Sequence, residues 1–381
     1  MIRIVDKKKC SGCSACLSAC PKNCITMQAD EEGFLYPHID EDTCIDCHLC
    51  EKICPVLNPF EQREPKTCYA AQNKNEQVRL ASSSGGVFSI MATAILERGG
   101  VVCGVEFDKN KMTHHICVQS IDDLKKLVGS KYVQSRLESV FKEIKEYVQE
   151  GRWVLFSGTP CQVAGINRYL GRLAKADNYI SVELCCHGVP SPLIWGKYLE
   201  EVGANSYNIQ KLTFRSKLNG WKNYSLDIQT NSYHLCEGKE QNIYMRGFLK
   251  NLYCRPICSE CKARGFATGS DISIGDFWGL PKFYPDKDDN KGKSLILVLT
   301  DKGNVFYQVI QNSLKVFEIK YEEVIAGNTN YLKSSKFHIH RQDFWEYIAS
   351  GKSIKYSVDR CLRSPLKIRV KNIIKKIVCK K

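Results

Sequence analysis

No stretch of this 381-residue chain approaches the roughly 18 consecutive apolar residues of a membrane-spanning helix, so a soluble or surface-attached protein is expected. The opening nine residues carry Arg3, Lys7, Lys8 and Lys9 with no apolar run behind them, so no secretory leader is read. Reduced thiols and a cytoplasmic setting are the expectation. No Gly-x-Gly-x-x-Gly follows a strand-like run and no Gly-x-x-x-x-Gly-Lys-Ser/Thr loop occurs, which removes both common nucleotide-binding fingerprints. A nucleic-acid recognition motif and an aromatic-basic series are also missing, so a zinc protein that binds nucleic acid is disfavoured and no nucleic-acid partner is expected.

Cysteine is what the chain has in excess: 21 residues. Cys10, Cys13, Cys16 and Cys20 precede Pro21, and Cys44, Cys47, Cys50 and Cys54 precede Pro55, so one Cys-x-x-Cys-x-x-Cys-x-x-x-Cys-Pro run occurs twice. Three close cysteines suit three iron corners of a [4Fe-4S] cube, and the fourth reaches across to the other cube. The expected sets are therefore Cys10, Cys13, Cys16 with Cys54, and Cys44, Cys47, Cys50 with Cys20. Structural zinc would use two ligand pairs separated by a longer insert. The small residues Gly12, Ser14 and Ala15 let backbone amides approach the sulfurs, while Asp46 and His48 make the second loop more polar. Cys24 falls outside the pattern and is read as a small core residue without a ligand role. The formal charge of +14 falls to about +8 once three clusters of about −2 each are counted.

Residues 1–58 are thus expected to form a two-cluster ferredoxin-like domain, and 59–66, with Pro59 and Pro65, a linker. From Thr67 onward, apolar runs at Val101 to Phe107, Trp153 to Phe156, Tyr179 to Leu184, Asp271 to Ile274 and Ser294 to Leu299 alternate with helical patterns. This predicts a larger α/β domain over 67–345, and an α+β chain as a whole. One helix is signalled by the apolar stripe Val87, Ile90, Met91, Ala94 and Ile95, with Ser82 to Ser84 as N-cap candidates and Gly99 as its stop. Bare amides and hydroxyls in that Ser-Ser-Ser-Gly-Gly turn suit a phosphate, and equally suit ordinary capping.

A second cysteine set is scattered. Cys161 follows one predicted strand, Cys186 follows another, and Cys258 and Cys261 form a Cys-x-x-Cys. Both strand-end positions lie where open α/β sheets gather ligands. Buried thiols, a zinc site, a redox dithiol and a third cluster all remain open on spacing alone.

Five ordered motifs narrow the choice: Ser-Ser-Ser-Gly-Gly at 82–86, Gly-Ser-Lys-Tyr-Val-Gln-Ser at 129–135, Gly-Thr-Pro-Cys-Gln at 158–162, Cys-His-Gly-Val-Pro-Ser-Pro at 186–192 and Asp-Ile-Ser-Ile-Gly-Asp-Phe-Trp-Gly at 271–279. Together they resemble the beta subunits of deazaflavin-coenzyme (factor 420) hydrogenases and dehydrogenases. The resemblance implies an FAD-binding α/β domain with its own [4Fe-4S] cluster, held by Cys161, Cys186, Cys258 and Cys261. Cys185 and Cys254 compete for those positions by proximity. The same resemblance implies FAD contacts at Ser82, Ser83, Ser84, Gly85, Gly86 and Lys131, and flavin-edge contacts at Thr159 and Gln162. His187 and Asp276 adjoin these motifs and are candidate catalytic residues, with loop orientation as the alternative role.

The implied function is an iron–sulfur flavoprotein oxidoreductase that passes electrons between a hydride carrier, or a reducible small molecule, and ferredoxin-type clusters. A ferredoxin or other redox protein is the expected partner. A non-catalytic wiring subunit of a larger complex is the alternative. At the end of the chain, 346–381 is read as a basic, helical tail in which Leu366, Val370, Ile373, Ile374 and Ile377 oppose Lys367, Lys371, Lys375, Lys376, Lys380 and Lys381. A solvated terminal helix and weak peripheral contact with an anionic membrane surface are both consistent with it.

Overall fold

The computed structural model describes residues 1–204 and 207–363. The N-terminal module carries one antiparallel hairpin, β1 (Ile25–Ala29) with β2 (Leu35–Ile39), flanked by short helices Ala15–Ala19 and Leu49–Lys52. The larger domain contributes β3 (Thr67–Asn73), β4 (Val101–Phe107), β5 (Thr113–Val118), β6 (Val154–Gly158), β7 (Tyr179–Leu184), β8 (Ile209–Ser216), β9 (Ser225–Thr230), β10 (His234–Gly238), β11 (Ile272–Asp276), β12 (Ser294–Val298) and β13 (Leu314–Glu318).

Eight of these strands form one mixed sheet in the order β13-β3-β12-β11-β7-β6-β4-β5. Its centre, β4, β6, β7 and β11, is parallel, and antiparallel strands extend it on both sides. A parallel centre is covered on both faces, which is why its strands are mostly apolar, with buried Ser181, Glu183 and Ser273 among the exceptions. Leu155, Ile180 and Val182 pack with Val87, Met91 and Ile95 on one side. Val154, Phe156 and Tyr179 pack with Phe141, Ile144 and Ile166 on the other. The α/β expectation is therefore borne out, with a second, antiparallel sheet β10-β9-β8 that the apolar runs did not announce.

The predicted helix spans Val87–Leu96, but its N-cap is Gly86 in a left-handed conformation (φ +79°). Ser82 instead closes the preceding helix, Glu76–Ala81, by donating its hydroxyl to Val78 O at 2.7 Å. Only glycine enters that φ region without strain, so the serines were displaced from the cap by backbone geometry.

The ferredoxin module is fastened to the larger domain by polar contacts. Arg255, fully buried, donates Nε to Cys10 O (2.9 Å), Nη2 to Leu35 O (2.8 Å) and Nη1 to Gln134 Oε1 (2.9 Å). Arg341 pairs with Glu32, and Lys8 with Glu260 at 2.9 Å. The connecting stretch 59–66 is pinned as well: Arg63 N donates to Gly265 O at 3.0 Å, and the Arg168 guanidinium lies 4.0 Å from the Phe60 ring centre.

Helices Arg341–Ala349 and Ile354–Cys361 bury Phe344, Ile348, Ile354 and Val358 in the core beneath the antiparallel sheet. The stripe from Leu366 to Ile377 lies outside the described residues. Among the described residues no helix is long and apolar enough to cross a membrane. One expectation is corrected: Cys103 and Cys117, directly opposite each other on β4 and β5, form a disulfide rather than free thiols.

Candidate iron–sulfur and cofactor site

The duplicated cysteine run folds twice into the same backbone. Gly12 and Asp46, each two residues after the first cysteine, have φ +68° and +48°. Ser14 and His48, each preceding a short helix, have φ +59° and +58°. These left-handed residues curl the chain so that successive thiols face one centre. Cys10, Cys13, Cys16 and Cys54 line one cavity. Cys20, Cys44, Cys47 and Cys50 line a second. Amides already point at sulfur, Gly12 N to Cys10 Sγ and Ile2 N to Cys50 Sγ, both at 3.4 Å. Cys24 is a buried core residue, yet it also lines the second cavity with its Sγ 3.3 Å from Cys20 Sγ.

A third cavity gathers Cys161, Cys186, Cys258 and Cys261. Cys161 sits in the first turn of the helix Pro160–Leu170 directly after β6, and Cys186 lies just beyond the end of the adjacent parallel β7. Cys258 comes from a 3-10 turn, Pro256–Glu260, and Cys261 is the residue that ends it. Burial pushes the Cys161 thiol up to about 11 and the Cys258 thiol up to about 12, so these groups stay neutral unless a cation offsets the cost of the thiolates. Cys185 and Cys254 do not line this cavity. The Cys185 side chain packs against the Gly275 and Tyr331 region, and Cys254 donates to Asn251 Oδ1 at 3.5 Å. Four thiols about a small enclosed space suit a [4Fe-4S] cube in donor chemistry. The first and third cavities share Ser11, Pro55 and Val56, so they are direct neighbours.

The segment 129–135 ties the five motifs together. Ser130 N donates to Ser83 Oγ at 2.7 Å, joining it to the 82–86 turn. Gln134 N donates to Pro190 O at 3.2 Å, and its amide Nε2 to Ser11 O at 3.2 Å. Ser135 Oγ accepts from Gln162 Nε2 at 2.9 Å. Tyr132 OH accepts from Arg215, whose guanidinium pairs with Asp276 at 2.8 Å. Segment 129–135 thus runs from the serine turn to the wall shared by two cysteine cavities.

The residues expected to touch flavin fall into two groups. Ser82 to Gly86 and Lys131 lie together at the sheet edge, where the helix Val87–Leu96 begins without a side-chain cap. Gly85 is required there: a Cβ would lie 2.5 Å from Ala71 O. Lys131 Nζ lies between 3.2 and 3.4 Å from the carbonyls of Leu127, Val128 and Gly129. Burial lowers its ammonium to about 8. Lys217 Nζ reaches the same turn, donating to Ser84 O at 2.6 Å and Arg79 O at 2.8 Å. Thr159 and Gln162 belong to a separate buried network: Gln162 Oε1 accepts from Thr159 N (2.9 Å), and His115 Nδ1 lies 2.9 Å from Ser135 Oγ.

Neither His187 nor Asp276 lines the third cavity. His187 stacks edge-on to Phe248 at 5.2 Å, and burial lowers its pKa. Asp276 is held by Arg215 and by Trp221 Nε1 at 3.1 Å, beside the stacked pair Trp221 and Trp278. Sequence reasoning missed Arg255, Gln134, Arg215 and Lys217. Gln134 alone carried a signal, since it lies inside one of the five motifs.

Family models match three successive stretches: a 4Fe-4S dicluster domain over residues 9–58, the N-terminal part of the coenzyme F420 hydrogenase/dehydrogenase beta subunit over 68–142, and its C-terminal part over 151–325. The chain belongs to the family of coenzyme F420 hydrogenase/dehydrogenase beta subunits. The resemblance carried by the five motifs is borne out, and the fused ferredoxin domain makes this member an iron–sulfur, oxidoreductase-type subunit with an electron-transfer role. One subunit of the F(420)H(2) dehydrogenase of Methanosarcina mazei is 21% identical over 328 residues, covering 83% of this chain and 86% of that protein. Coenzyme F420-dependent sulfite reductase of Methanocaldococcus jannaschii is 27% identical over 352 residues, covering 89% of this chain but 51% of the reductase, so the chain spans about half of that relative. A chain of the F420-reducing [NiFe] hydrogenase complex from Methanosarcina barkeri aligns at 17% identity with a TM-score of 0.48, covering 77% of this chain and 96% of that one.

Proposed function

We propose that this member of the family is an oxidoreductase in which FAD exchanges two electrons with a hydride carrier, coenzyme F420 or another, while three [4Fe-4S] clusters carry electrons singly to a partner protein. The observation that carries the reading is that at least four thiols line each of three cavities, Cys24 being a fifth in the second, and that the first and third share a wall. Cys161, Cys186, Cys258 and Cys261 hold the inner set; Cys10, Cys13, Cys16 and Cys54 the middle one; Cys20, Cys44, Cys47 and Cys50 the outer one. Exposed Cys47 and Ile45 beside the outer set offer the partner's contact surface.

Ser82 to Gly86, with the uncapped helix start and Lys131 and Lys217 nearby, form the phosphate-binding end for FAD. Thr159 and Gln162 keep the Cys161 turn in place. His187 and Asp276 orient their loops instead of moving protons, because Asp276 is locked by Arg215 and Trp221. A wiring subunit without flavin is the second reading, favoured by one observation: the Ser82 and Ser84 hydroxyls are already engaged by Val78 O and Lys293 O.

Anaerobic assembly followed by iron, sulfide and flavin analysis separates these readings. About twelve irons and one FAD per chain are expected, with about four irons lost in Cys258→Ser. Reduction by F420, nicotinamide and ferredoxin donors then identifies the carrier. Absence of flavin with full iron leaves the wiring reading, and eight irons in the parent protein remove the inner cluster.

A further inference from the structure

The antiparallel sheet β10-β9-β8 carries a group of side chains that the electron-transfer reading does not use. On the β9–β10 pair, Asp227 stands directly opposite Cys236, and His234 stands opposite Gln229. Directly opposed residues share a face, and positions two apart along a strand do as well. Asp227, His234 and Cys236 therefore project from one face. Leu226, Ile228 and Leu235 project from the other into the core.

The ligand atoms of the three residues all lie within 4.8 Å of one another, and His234 Nε2 is 2.7 Å from Asp227 Oδ1. Ligands of a tetrahedral ion with bonds of about 2.0 to 2.3 Å stand roughly 3.3 to 3.8 Å apart, so small side-chain rotations bring all three onto one ion. Asp227 is buried, with 4% of its side chain exposed, whereas His234 is 53% exposed and faces solvent. The hairpin is short, with Asn231 to Tyr233 between the strands, so the three ligands arrive on a preformed scaffold.

We propose that Asp227, His234 and Cys236 form a binding site for a divalent ion of the zinc class. One carboxylate, one imidazole and one thiolate suit a borderline ion; calcium and magnesium require oxygen ligands, and a [4Fe-4S] cube is ordinarily held by four thiolates. Three protein ligands leave a fourth position open on the solvent side for water. Binding exchanges the proton of the Cys236 thiol, and the hydrogen bond between His234 and Asp227, for metal bonds. Its structural effect is to clamp the hairpin. The site is separate from the three cysteine cavities, whose linings include none of these residues.

The test uses the full chain, loaded anaerobically with iron and sulfide, then equilibrated with a small excess of zinc and passed through a desalting column. Zinc and iron are counted together. The parent protein is expected to retain one more zinc per chain than His234→Gln and Cys236→Ser, with equal iron in all three. Zinc-edge X-ray absorption of the parent should then show one sulfur neighbour at about 2.3 Å with nitrogen and oxygen neighbours. Equal zinc in parent and variants overturns the proposal, and so does a zinc signal dominated by four sulfurs, which would place the ion in a cysteine cavity. Because exposed His234 bears no core contact, its variant keeps the test decisive should Cys236→Ser misfold.

Discussion

Removing the Arg255 guanidinium should uncouple the ferredoxin module from the larger domain. Arg255 is fully buried and satisfies two acceptors across the interface, Cys10 O and Leu35 O, and a third, Gln134 Oε1, within the larger domain. Truncation to alanine leaves the two interface acceptors without their donor, at about 1 to 3 kcal/mol each. It also removes a guanidinium 4.3 Å from the Tyr36 ring centre, a contact of about 1 kcal/mol. A loss of at least about 3 kcal/mol in docking follows, a large share of the stability of an ordinary domain. The assay is limited trypsin digestion under anaerobic conditions, read at Arg63 and Lys66, alongside a denaturant melt. Parent protein should resist, because Arg63 is tied to Gly265 O. Arg255→Ala should be cut between the domains, and Arg255→Lys should fall between, since one ammonium cannot serve three diverging acceptors. Arg255 Nη2 also lies 3.7 Å from Cys10 Sγ. One unit charge at that range is worth about 4 kcal/mol at an effective dielectric of about 20, a ceiling of roughly 0.2 V on the fall in the module's midpoint potential. Trypsin resistance and a melt within about 0.5 kcal/mol of the parent would refute the reasoning.

Three further outcomes follow from other sites. Asp276→Asn leaves the charge of Arg215, 2% exposed, without its anion, and should cost about 3 to 5 kcal/mol in a thermal melt while iron content stays unchanged. Burial lowers His115 to about 4 from its usual 6.5, so between those values the unfolded chain binds the proton and the folded one does not. Stability should therefore fall as pH drops from about 6.5 to about 4, by about 3 kcal/mol, and the difference between parent and His115→Gln melts should isolate that slope from titrating carboxylates. Gly85→Ala drives a methyl into Ala71 O at 2.5 Å and Ser294 N at 2.8 Å, both backbone, and should destabilise by about 1 to 3 kcal/mol in a melt. An unchanged melt would mean that the turn is loosely held.

What the sequence disclosed depended on how local each signal was. The cysteine quartets of the N-terminal module were legible because ligand spacing lies within eleven residues and the repeat confirms it. β4 and β7 were read residue for residue because each is mostly apolar, although β7 also buries Ser181 and Glu183. The β8, β9 and β10 sheet was not read: its outward positions, such as Asp227, Gln229 and His234, interrupt the pattern, and its register shifts twice between β8 and β9. The Ser82 to Ser84 cap failed because the choice between serine and glycine depends on φ, which composition does not specify.

The inner cysteine set shows the limit more sharply. Cys161 and Cys186 follow adjacent parallel strands, so topology brings them together, and an alternation of strands and helices is enough to suspect it. Nothing local distinguishes Cys186 from Cys185, or Cys258 from Cys254; the direction of each side chain at a strand end or turn makes that choice. Arg255 is harder still, because its partners Cys10, Leu35 and Gln134 lie 245, 220 and 121 residues away. A buried arginine is tolerated only when every direction of its planar donor set is met. Here those directions are filled by the first cysteine loop, the ferredoxin hairpin and the 129–135 segment at once. The fusion of the two domains is therefore more than a tether of eight residues: a charge that neither domain could bury alone fixes how one set of thiols faces the next.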